Sequence, residues 1–268
     1  MKVFNKLAIA VVSVAAISLG TAQNAQAASL INFEALGDGS QAVDDMEISD
    51  QFSSKFGVTF GIDNNFDGTA DEGLFPRLER IGKDGTDGFV NGTVGKKDVA
   101  STEEEAKRLG QYFLRTAGLG GDGGALLISY DKATSGASGE LWDIDGNGNG
   151  RRTEQWAIQA LDNTGQILET ILTPIGTNNK INQKGGELDG KAFLWEFDRE
   201  EEDIHAIRFE FKGNSDPSKV GLAFDNFSAR TNSSKFSKAQ SVPEPASILG
   251  LIAVGSAATF AKRKRVSK

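Results

Sequence analysis

Residues Ile204–Phe211, with the sequence IHAIRFEF, decide the fold. The apolar residues Ile207, Phe209 and Phe211 alternate with charged residues along this stretch. A period of two places alternate side chains on opposite faces of a β-strand. The stretch therefore predicts a strand with one face in the core and the other toward solvent, as in an antiparallel sheet.

Similar short apolar runs recur through the chain between Gly, Asn and Asp residues, and the chain has 32 glycines. Many short strands with close turn signals indicate two antiparallel sheets that bury each other's apolar faces. The predicted fold class is all-β, an antiparallel jelly-roll-like β-sandwich of the lectin or carbohydrate-binding-module type. An immunoglobulin-like sandwich is disfavoured because it has fewer strands. The predicted strands are Leu30–Phe33, Ile48–Phe52, Phe56–Ile62, Leu74–Ile81, Gln111–Thr116, Ala125–Tyr130, Gly139–Ile144, Gln155–Leu161, Gln166–Leu172, Lys191–Phe197, Ile204–Phe211 and Val220–Ala229.

Only residues Ser101–Leu109 predict a helix in the body of the chain. Ser101 followed by Glu104 fits a capping box, and Glu103 with Lys107 forms an i,i+4 ion pair. The helix is too short to cover a sheet. Near the end of the body, Leu222–Phe227 (LAFDNF) resembles the final strand of jelly-rolls in exported bacterial proteins.

The N-terminus has the three parts of a secretory signal peptide. Lys2 and Lys6 precede the apolar segment Leu7–Leu19, and Ala25-Gln26-Ala27 supplies small residues at the cleavage site. We therefore expect signal peptidase to remove residues 1–27, and the chain to be exported across the inner membrane.

The C-terminus carries a second apolar segment between defined ends. The motif residues Val242, Pro243, Glu244 and Pro245 precede an uncharged run from Ala246 to Ala261, and the basic residues Lys262, Arg263, Lys264 and Arg265 follow it. A 16-residue helix reaches about 24 Å, short of the roughly 30 Å hydrocarbon core. The cations should remain in the cytoplasm, which places the body outside. A buried helix with a solvated basic end is the alternative.

These three parts resemble a PEP-CTERM sorting signal, found on exported proteins of Gram-negative bacteria that make exopolysaccharide. The resemblance implies recognition by a membrane-embedded exosortase, a transient membrane anchor, and delivery to the cell envelope, cell surface or extracellular matrix. The predicted organisation is a signal peptide at 1–27, a β-sandwich domain at 28–231, a flexible linker at 232–242 and the sorting signal with a short transmembrane helix at 243–268.

Charge and composition exclude several functions. Without its two signals the body has 22 basic and 36 acidic residues, a net charge of −14. This surface repels nucleic acid and attracts divalent cations. Acidity also keeps an exported domain soluble. The chain has no cysteine and one histidine, which excludes disulfides, cysteine catalysis and His/Cys zinc sites.

Two loops resemble calcium-binding loops in their residue spacing. The first runs from Asp143 to Glu154 and matches the pattern in which alternating oxygens and a twelfth-position acid bind the ion. Its predicted ligands are Asp143, Asp145, Asn147, Asn149 and Glu154. Because the flanking residues predict strands and not the helices of an EF-hand, the same sequence is also typical of a glycine-rich turn between two strands.

The second loop runs from Asp63 to Asp71 and lacks the twelfth-position acid, since Leu74 stands there. Its predicted ligands are Asp63, Asn65, Asp67 and Asp71. In either loop, calcium would act as a structural clip in place of disulfides, or would shape a sugar site.

Three function classes remain open. The leading expectation is a non-enzymatic envelope or matrix protein that is calcium-stabilised and binds extracellular polysaccharide. The alternative is a secreted polysaccharide hydrolase, which needs two carboxylates on the same face of the strand. Against it, Glu140 and Asp143 lie on opposite faces, and only Asp143 and Asp145 share one. A purely structural matrix protein is the third. The tryptophans Trp142, Trp156 and Trp195 fit the core better than a sugar-stacking surface.

Overall fold

The structure is a computed structural model that describes residues 29–82, 99–116, 124–144, 153–176, 188–214 and 223–230. Within these segments the chain forms 11 strands and two short helices. The helices are α1 (Ser53–Phe56) and α2 (Glu103–Leu109). The strands are β1 (Ser29–Ile31), β2 (Val58–Asp63), β3 (Arg77–Arg80), β4 (Tyr112–Arg115), β5 (Ala125–Thr134), β6 (Gly136–Ile144), β7 (Trp156–Leu161), β8 (Ile167–Leu172), β9 (Leu188–Asp198), β10 (Ile204–Phe211) and β11 (Ala223–Arg230).

The strands form two antiparallel sheets that pack as a sandwich, which confirms the predicted fold class. A six-stranded sheet has the order β3-β4-β11-β6-β9, and β1 pairs with the end of β11. A five-stranded sheet has the order β2-β5-β10-β7-β8. Strand β10, which is formed by the alternating stretch IHAIRFEF, is central in the second sheet, between β5 and β7.

Aromatic side chains fill the space between the sheets. Trp195 packs edge-on against Phe209 of the opposite sheet, with ring centroids 5.3 Å apart. Phe209 in turn contacts Phe224 at 5.2 Å. Edge-to-face contacts of this kind add stability beyond simple burial. Trp156 and Trp195 are buried in this core, and Trp142 is buried in a separate apolar cluster on the outer face of the six-stranded sheet. All three are thus buried, which confirms the preference for a buried position over a sugar-stacking surface.

The prediction of a strand at Ile48–Phe52 is wrong. These residues form turns, and Ser53–Phe56 form the one-turn helix α1. Gly57 ends α1 in the left-handed conformation (φ 66°), which glycine adopts without a steric penalty. Ile48 and Phe52 are buried as loop residues, so their apolar character reflected the core rather than a strand.

Helix α2 is present, but its predicted cap was displaced by one residue. The N-cap is Thr102, whose hydroxyl accepts a hydrogen bond from the backbone N–H of Glu105. The Glu105 carboxylate accepts hydrogen bonds from the hydroxyls of both Thr102 and Ser101. Thr102 and Glu105 satisfy the same capping-box spacing as Ser101 and Glu104, so the sequence pattern could not separate them.

The expectation that each strand is half buried is wrong for the middle of the five-stranded sheet. Strand β7 is buried along its whole length. The loop at 63–71 lies across the outer face of this sheet, and Gly68 approaches Gly165 so closely that a Cβ at Gly68 would lie 2.6 Å from the Cα of Gly165. The alternation of residues within a strand cannot predict that a loop distant in the sequence covers the sheet.

The predicted signal peptide (1–27), linker (232–242) and sorting signal (243–268) lie outside the described residues. Their boundaries remain predictions. Among the residues that the structure does describe, none belongs to a helix with the length and hydropathy that a membrane crossing requires.

Candidate functional site

A cleft of about 280 Å³ lies on the outer face of the six-stranded sheet. Strand β6 places Ala137 and Leu141 in the core, so the alternate residues Ser138 and Glu140 face outward. Leu194 of β9 is 62% exposed at the rim. The cleft is lined by Ser138, Gly139, Glu140, Leu194, Trp195, Glu196 and Asn226.

Glu140 is held in the cleft by two residues from other elements. Its Oε1 lies 3.1 Å from Nε of Arg108, at the end of α2, and its Oε2 accepts a hydrogen bond of 3.0 Å from Nδ2 of Asn226. The Arg108 guanidinium also lies over the ring of Trp142, 5.3 Å from its centroid. Arg108 of α2 therefore fixes the orientation of Glu140.

Helix α2 is attached to the sheet by a small apolar cluster separate from the main core. Leu109 packs with Phe113, Trp142 and Ala223 on the outer face of the six-stranded sheet. Trp142 lies on the outer face of β6, like Ser138 and Glu140, so it contributes to this cluster and not to the space between the sheets. The cluster positions the Arg108 side chain above Glu140.

Asn226 occupies a β-bulge and connects three oxygens. The β6–β11 register shifts between Asp225 and Ser228, and Asn226 has a positive φ of 51°. Its Nδ2 donates to the carbonyl oxygen of Arg108 (3.0 Å), to Oε2 of Glu140 (3.0 Å) and to Oδ2 of Asp225 (3.3 Å). An amide nitrogen has two hydrogens. Three acceptors therefore share two protons.

Asp225 lies beneath this network and is incompletely bonded. It faces Glu140 across the strand pair and is 0% exposed. No described residue donates to its Oδ1. Burial raises the pKa of Asp225 to about 9; the backbone N–H of Asn226 opposes this shift, and the negative charges of Glu140 and Glu34 add to it. At neutral pH the buried carboxyl is protonated unless a cation replaces the proton.

Glu140 shows a similar effect to a smaller degree. Burial raises its pKa, while the hydrogen bond from Asn226 and the charge of Arg108 oppose the change. Glu140 is 7% exposed and lines the cleft, whereas Asp225 has no exposed surface. Of these two acids, only Glu140 can contact a ligand in the cleft.

Glu34, just after β1, brings a third carboxylate to this side of the molecule. Its Oε1 accepts hydrogen bonds from the backbone N–H groups of Gln111 (2.6 Å) and Tyr112 (3.0 Å). The preceding Gly110 has a φ of 70°, and a Cβ there would collide with the Glu34 carboxylate. Glu34 thus secures the turn between α2 and β4.

The sequence patterns did not indicate this site. Residue alternation relates Glu140 only to Asp143 in the same strand, and Leu222–Phe227 predicts a strand without a role for its polar pair. The available signal was Asp225 followed by Asn226 within an otherwise apolar strand. Its pairing with Glu140 depends on strand register, which the sequence does not specify.

The predicted ligands Asp63, Asn65, Asp67 and Asp71 share one loop, and the structure brings them close together. Asp63 Oδ1 accepts from the N–H of Asp67 (3.1 Å), and Oδ2 accepts from the N–H of Gly68 (2.9 Å). Asn65 Oδ1 and Asp71 Oδ2 also accept backbone N–H groups. These bonds are typical of a tight polar turn.

A cation fits this loop poorly because Arg208 already occupies the place beside Asp63. Nη1 of Arg208 lies 3.5 Å from Asp63 Oδ2 and 2.9 Å from the carbonyl oxygen of Phe66, and its Nε donates to Gln159 Oε1 at 2.9 Å. The guanidinium supplies the positive charge that calcium would bring. Across the described segments, no group of three or more acidic or histidine side chains has the arrangement of a metal site.

The other predicted calcium loop lies mostly outside the described residues, which exclude Asp145, Asn147 and Asn149. Asp143 is described and has a positive φ of 64°. Its Oδ1 accepts a hydrogen bond of 3.3 Å from the N–H of Gly190. Glu154 pairs with Gly176 through a β-bridge. The calcium assignment for this loop remains a prediction.

The C-terminal part of the chain carries a PEP-CTERM protein-sorting motif at residues 241–265. The match includes the predicted motif residues Val242, Pro243, Glu244 and Pro245 and the basic residues Lys262, Arg263, Lys264 and Arg265, all of which lie outside the described residues. The motif implies export, a membrane-anchored sorting signal and processing by an exosortase. No curated protein sequence is significantly similar to the chain.

Several solved β-rich structures share limited similarity with the body. The CBM22-1-GH10 modules of a Clostridium thermocellum endo-1,4-β-D-xylanase match at 9% identity and TM-score 0.32, over 77% of this chain and 29% of that one. A Bacillus subtilis arabinoxylan arabinofuranohydrolase matches at 10% identity and TM-score 0.31, over 76% and 33%. The K1 adhesin domain of Lys-gingipain from Porphyromonas gingivalis matches at 13% identity and TM-score 0.32, over 66% and 99%. The chain spans about a third or less of the first two proteins, and similarity at this level identifies neither a ligand nor an activity.

Proposed function

We propose that this chain is a non-enzymatic protein of the cell envelope or extracellular matrix, and that the cleft on its six-stranded sheet binds a segment of extracellular polysaccharide. The observation that carries the proposal is the chemistry of the cleft. Glu140, Asn226, Ser138 and Glu196 line it together with the exposed Leu194. A few fixed polar groups beside apolar surface are typical of a site that orients a polyhydroxylated ligand.

The orientation of the polar groups supports this role. Arg108 and Asn226 hold the Glu140 carboxylate, so its oxygens are fixed before a ligand arrives. Preorganisation lowers the entropic cost of binding. The body's net charge of −14 favours a neutral polysaccharide over an anionic one, because an anionic chain would be repelled.

Glycan-array binding of the exported protein tests the proposal. We expect binding to neutral polysaccharide fragments, and a loss of at least tenfold in Leu194→Ala and in Glu140→Gln. Leu172→Ala is the matched control for Leu194→Ala, because Leu172 is 57% exposed on the other sheet. Binding that is equal in all variants places the ligand elsewhere. If no glycan binds, a purely structural matrix protein becomes the better proposal.

A secreted polysaccharide hydrolase is the second candidate, favoured by two neighbouring carboxyls with raised pKa values, Glu140 and Asp225. Glycosidases use two carboxyls that both reach the scissile bond. The complete burial of Asp225 argues against that role. Release of reducing ends from polysaccharides by the wild type, abolished in Glu140→Gln, would establish the hydrolase and exclude the non-enzymatic proposal.

We also propose that calcium stabilises the body through the loop from Asp143 to Glu154. The spacing of the predicted oxygen ligands supports this proposal. The chain also has no cysteine, so no disulfide can stabilise the body in place of calcium. EGTA should lower the melting temperature of the wild type and leave that of Asp145→Ala unchanged. An identical melting curve of the wild type with and without EGTA would refute this proposal.

A further inference from the structure

The cleft lies beside the outer edge of the six-stranded sheet, which is formed by β9. Among the strands that the structure describes, β9 pairs only with β6. The stretch from Ala192 to Phe197 (AFLWEF) is largely apolar and has no proline, and Leu194 at its middle is 62% exposed. A long apolar edge strand can add a strand from another chain through its outward backbone groups. The edge of β9 is therefore a candidate interaction surface.

The register of β6 and β9 shows which backbone groups point toward this edge. The N–H of Arg199 donates to the carbonyl oxygen of Ser135 at 2.8 Å, and the pairing then runs without a shift from Asp198 to Ala192. In an antiparallel ladder, residues that bond to the neighbouring strand alternate with residues that do not. The odd-numbered residues of β9 therefore bond to β6. The N–H and C=O of the even-numbered Leu194 point away from the sheet.

Gly190 agrees with this alternation and marks where the accessible part of the edge begins. Its carbonyl oxygen points outward and accepts a hydrogen bond of 2.8 Å from the N–H of Ser101. A Cβ at Gly190 would lie 2.1 Å from the carbonyl oxygen of Val99, so the segment before α2 packs tightly against the strand there. Another strand can therefore pair with β9 only beyond Gly190.

We propose that two copies of the chain pair through their β9 edges, antiparallel and about a two-fold axis at Leu194. In such a pair, Leu194 lies opposite Leu194 of the second copy, and Ala192 lies opposite Glu196 of the second copy. Hydrogen bonds form at these even-numbered positions, because their backbone groups point outward. The two six-stranded sheets then become one continuous sheet.

Charge favours this axis over the next positions along the strand. An axis at Trp195 would place Lys191 opposite Arg199, and an axis at Glu196 would place two carboxylates opposite each other. Like charges directly opposite each other in a sheet are destabilising. With the axis at Leu194, Lys191 and Glu196 both lie opposite uncharged residues.

The space along the edge also favours the axis at Leu194. An axis at Phe193 would bring Glu196 of the second copy against Gly190, where Ser101 already bonds. With the axis at Leu194, the pairing runs from residue 191 to residue 197. Gly190 then lies opposite Asp198, the last residue of the strand. The two-fold pairing thus ends where the strand ends.

This pairing would join the two clefts on one face of the continuous sheet. Glu140 lies opposite Leu194 in the β6–β9 register, so these two residues and their copies form one row across four strands. Strands are about 4.8 Å apart, which places the two Glu140 Cα atoms about 14 Å apart. On the basis of the proposed glycan binding, one polysaccharide chain can then occupy both clefts and gain avidity.

Sedimentation equilibrium of the full-length chain in detergent, without glycan, tests the pairing. We expect a dimer of the wild type, and association at least 100-fold weaker in Leu194→Lys and in Leu194→Glu, because each places two like charges at the axis. An equimolar mixture of these two variants should dimerise, because an ammonium then faces a carboxylate. Leu172→Lys is the matched control and should dimerise like the wild type, since Leu172 is 57% exposed on β8, an edge strand of the other sheet.

Cross-linking tests the position of the axis without adding charge. The chain has no cysteine, so Leu194→Cys supplies one thiol per copy. Hydrogen-bonded residues opposite each other in an antiparallel pair have Cα atoms about 5.5 Å apart. A short bismaleimide should therefore link two copies of Leu194→Cys, and at least tenfold less dimer should form with Leu172→Cys.

Several results would overturn the proposal. They are a monomeric wild type, equal association of the wild type and Leu194→Lys, a mixture of the charged variants that stays monomeric, and equal cross-linking at positions 194 and 172. Since no glycan is present, none of these results decides whether the cleft binds polysaccharide, so failure of the pairing is distinguishable from failure of the proposed function.

Discussion

Each of the two sheets of the sandwich buries an aspartate on its outer face, but only one of these aspartates has a positively charged partner. Asp63, on the five-stranded sheet, is 0% exposed and is paired with Arg208 and two backbone N–H groups. Asp225, on the six-stranded sheet, is equally buried, but its surroundings are acidic and one of its oxygens has no described donor.

The difference teaches that burial alone does not define the role of an acid. Arg208 compensates Asp63, so the loop that it secures acts as a cover for the five-stranded sheet. Asp225 carries an uncompensated cost next to a cleft, which is where proteins keep groups with altered protonation. On the five-stranded side the buried acid is compensated and stabilises a covering loop, whereas the six-stranded side carries the cleft for which we propose glycan binding.

Removing Arg208 should produce the largest effect, because it leaves a charged carboxylate buried without a partner. We expect Arg208→Met to lower the free energy of unfolding by about 3–5 kcal/mol, measured by urea denaturation. The control is Arg199→Met, since Arg199 binds Asp203 in a partly exposed pair and should contribute about 1 kcal/mol or less. Similar losses in both variants would remove the contrast between the buried and the exposed pair.

The same substitution at the two aspartates should change stability in opposite directions. In metal-free protein at pH 8, Asp225→Asn should raise the free energy of unfolding by about 1–3 kcal/mol, because the buried carboxyl must take up a proton when the chain folds at this pH and the amide need not. Asp63→Asn should lower it by a comparable amount, because Arg208 loses its anionic partner. Destabilisation by both variants would show that the two acids are equivalent.

The pH dependence of stability should follow the raised pKa of Asp225. The folded state keeps a proton on this carboxyl up to about pH 9, whereas an unfolded aspartate loses it near pH 4. The unfolded state therefore binds fewer protons between these limits, and stability falls as pH rises through them. Metal-free wild type should show a falling melting temperature from pH 5 to 9. Asp225→Asn should show a smaller slope, and an identical slope would refute the assignment.

The smallest expected effect concerns the cap of α2. Thr102→Ala should cost about 1 kcal/mol by removing the hydroxyl that accepts from the Glu105 N–H. Because α2 carries Arg108 to the cleft, the same variant should weaken glycan binding. The exposed Ser54, in α1, provides the control, and Ser54→Ala should change stability by less than about 0.5 kcal/mol. Unchanged stability and glycan binding in Thr102→Ala would show that the cap of α2 contributes neither to stability nor to the cleft.

The alternation of apolar residues was sufficient to predict the sandwich. Strands such as β10 and β7 have a period of two or consist almost entirely of apolar residues, and the structure places them in the sheets. Periodicity failed at Ile48–Phe52, where apolar residues reach the core from turns and a one-turn helix. It also could not show that the loop at 63–71 covers the outer face of its sheet.

The candidate site was not predictable because it depends on contacts between distant residues. Glu140 and Asp225 are brought together by the β6–β11 register, and Arg108 by the docking of α2. The calcium-loop pattern at Asp63 identified a real turn from local spacing, but the guanidinium that replaces a cation comes from Arg208, 145 residues away. The sorting motif was predictable because its chemistry is entirely local.

The most direct test of the contrast between the two sheets is a carboxyl ¹³C NMR titration of the metal-free protein, with Asp225→Asn used to assign the signal. Asp225 should titrate near pH 9. Titration of Asp225 near pH 4 in the absence of metal would contradict the account, because the buried carboxyl would then be compensated in the same way as Asp63.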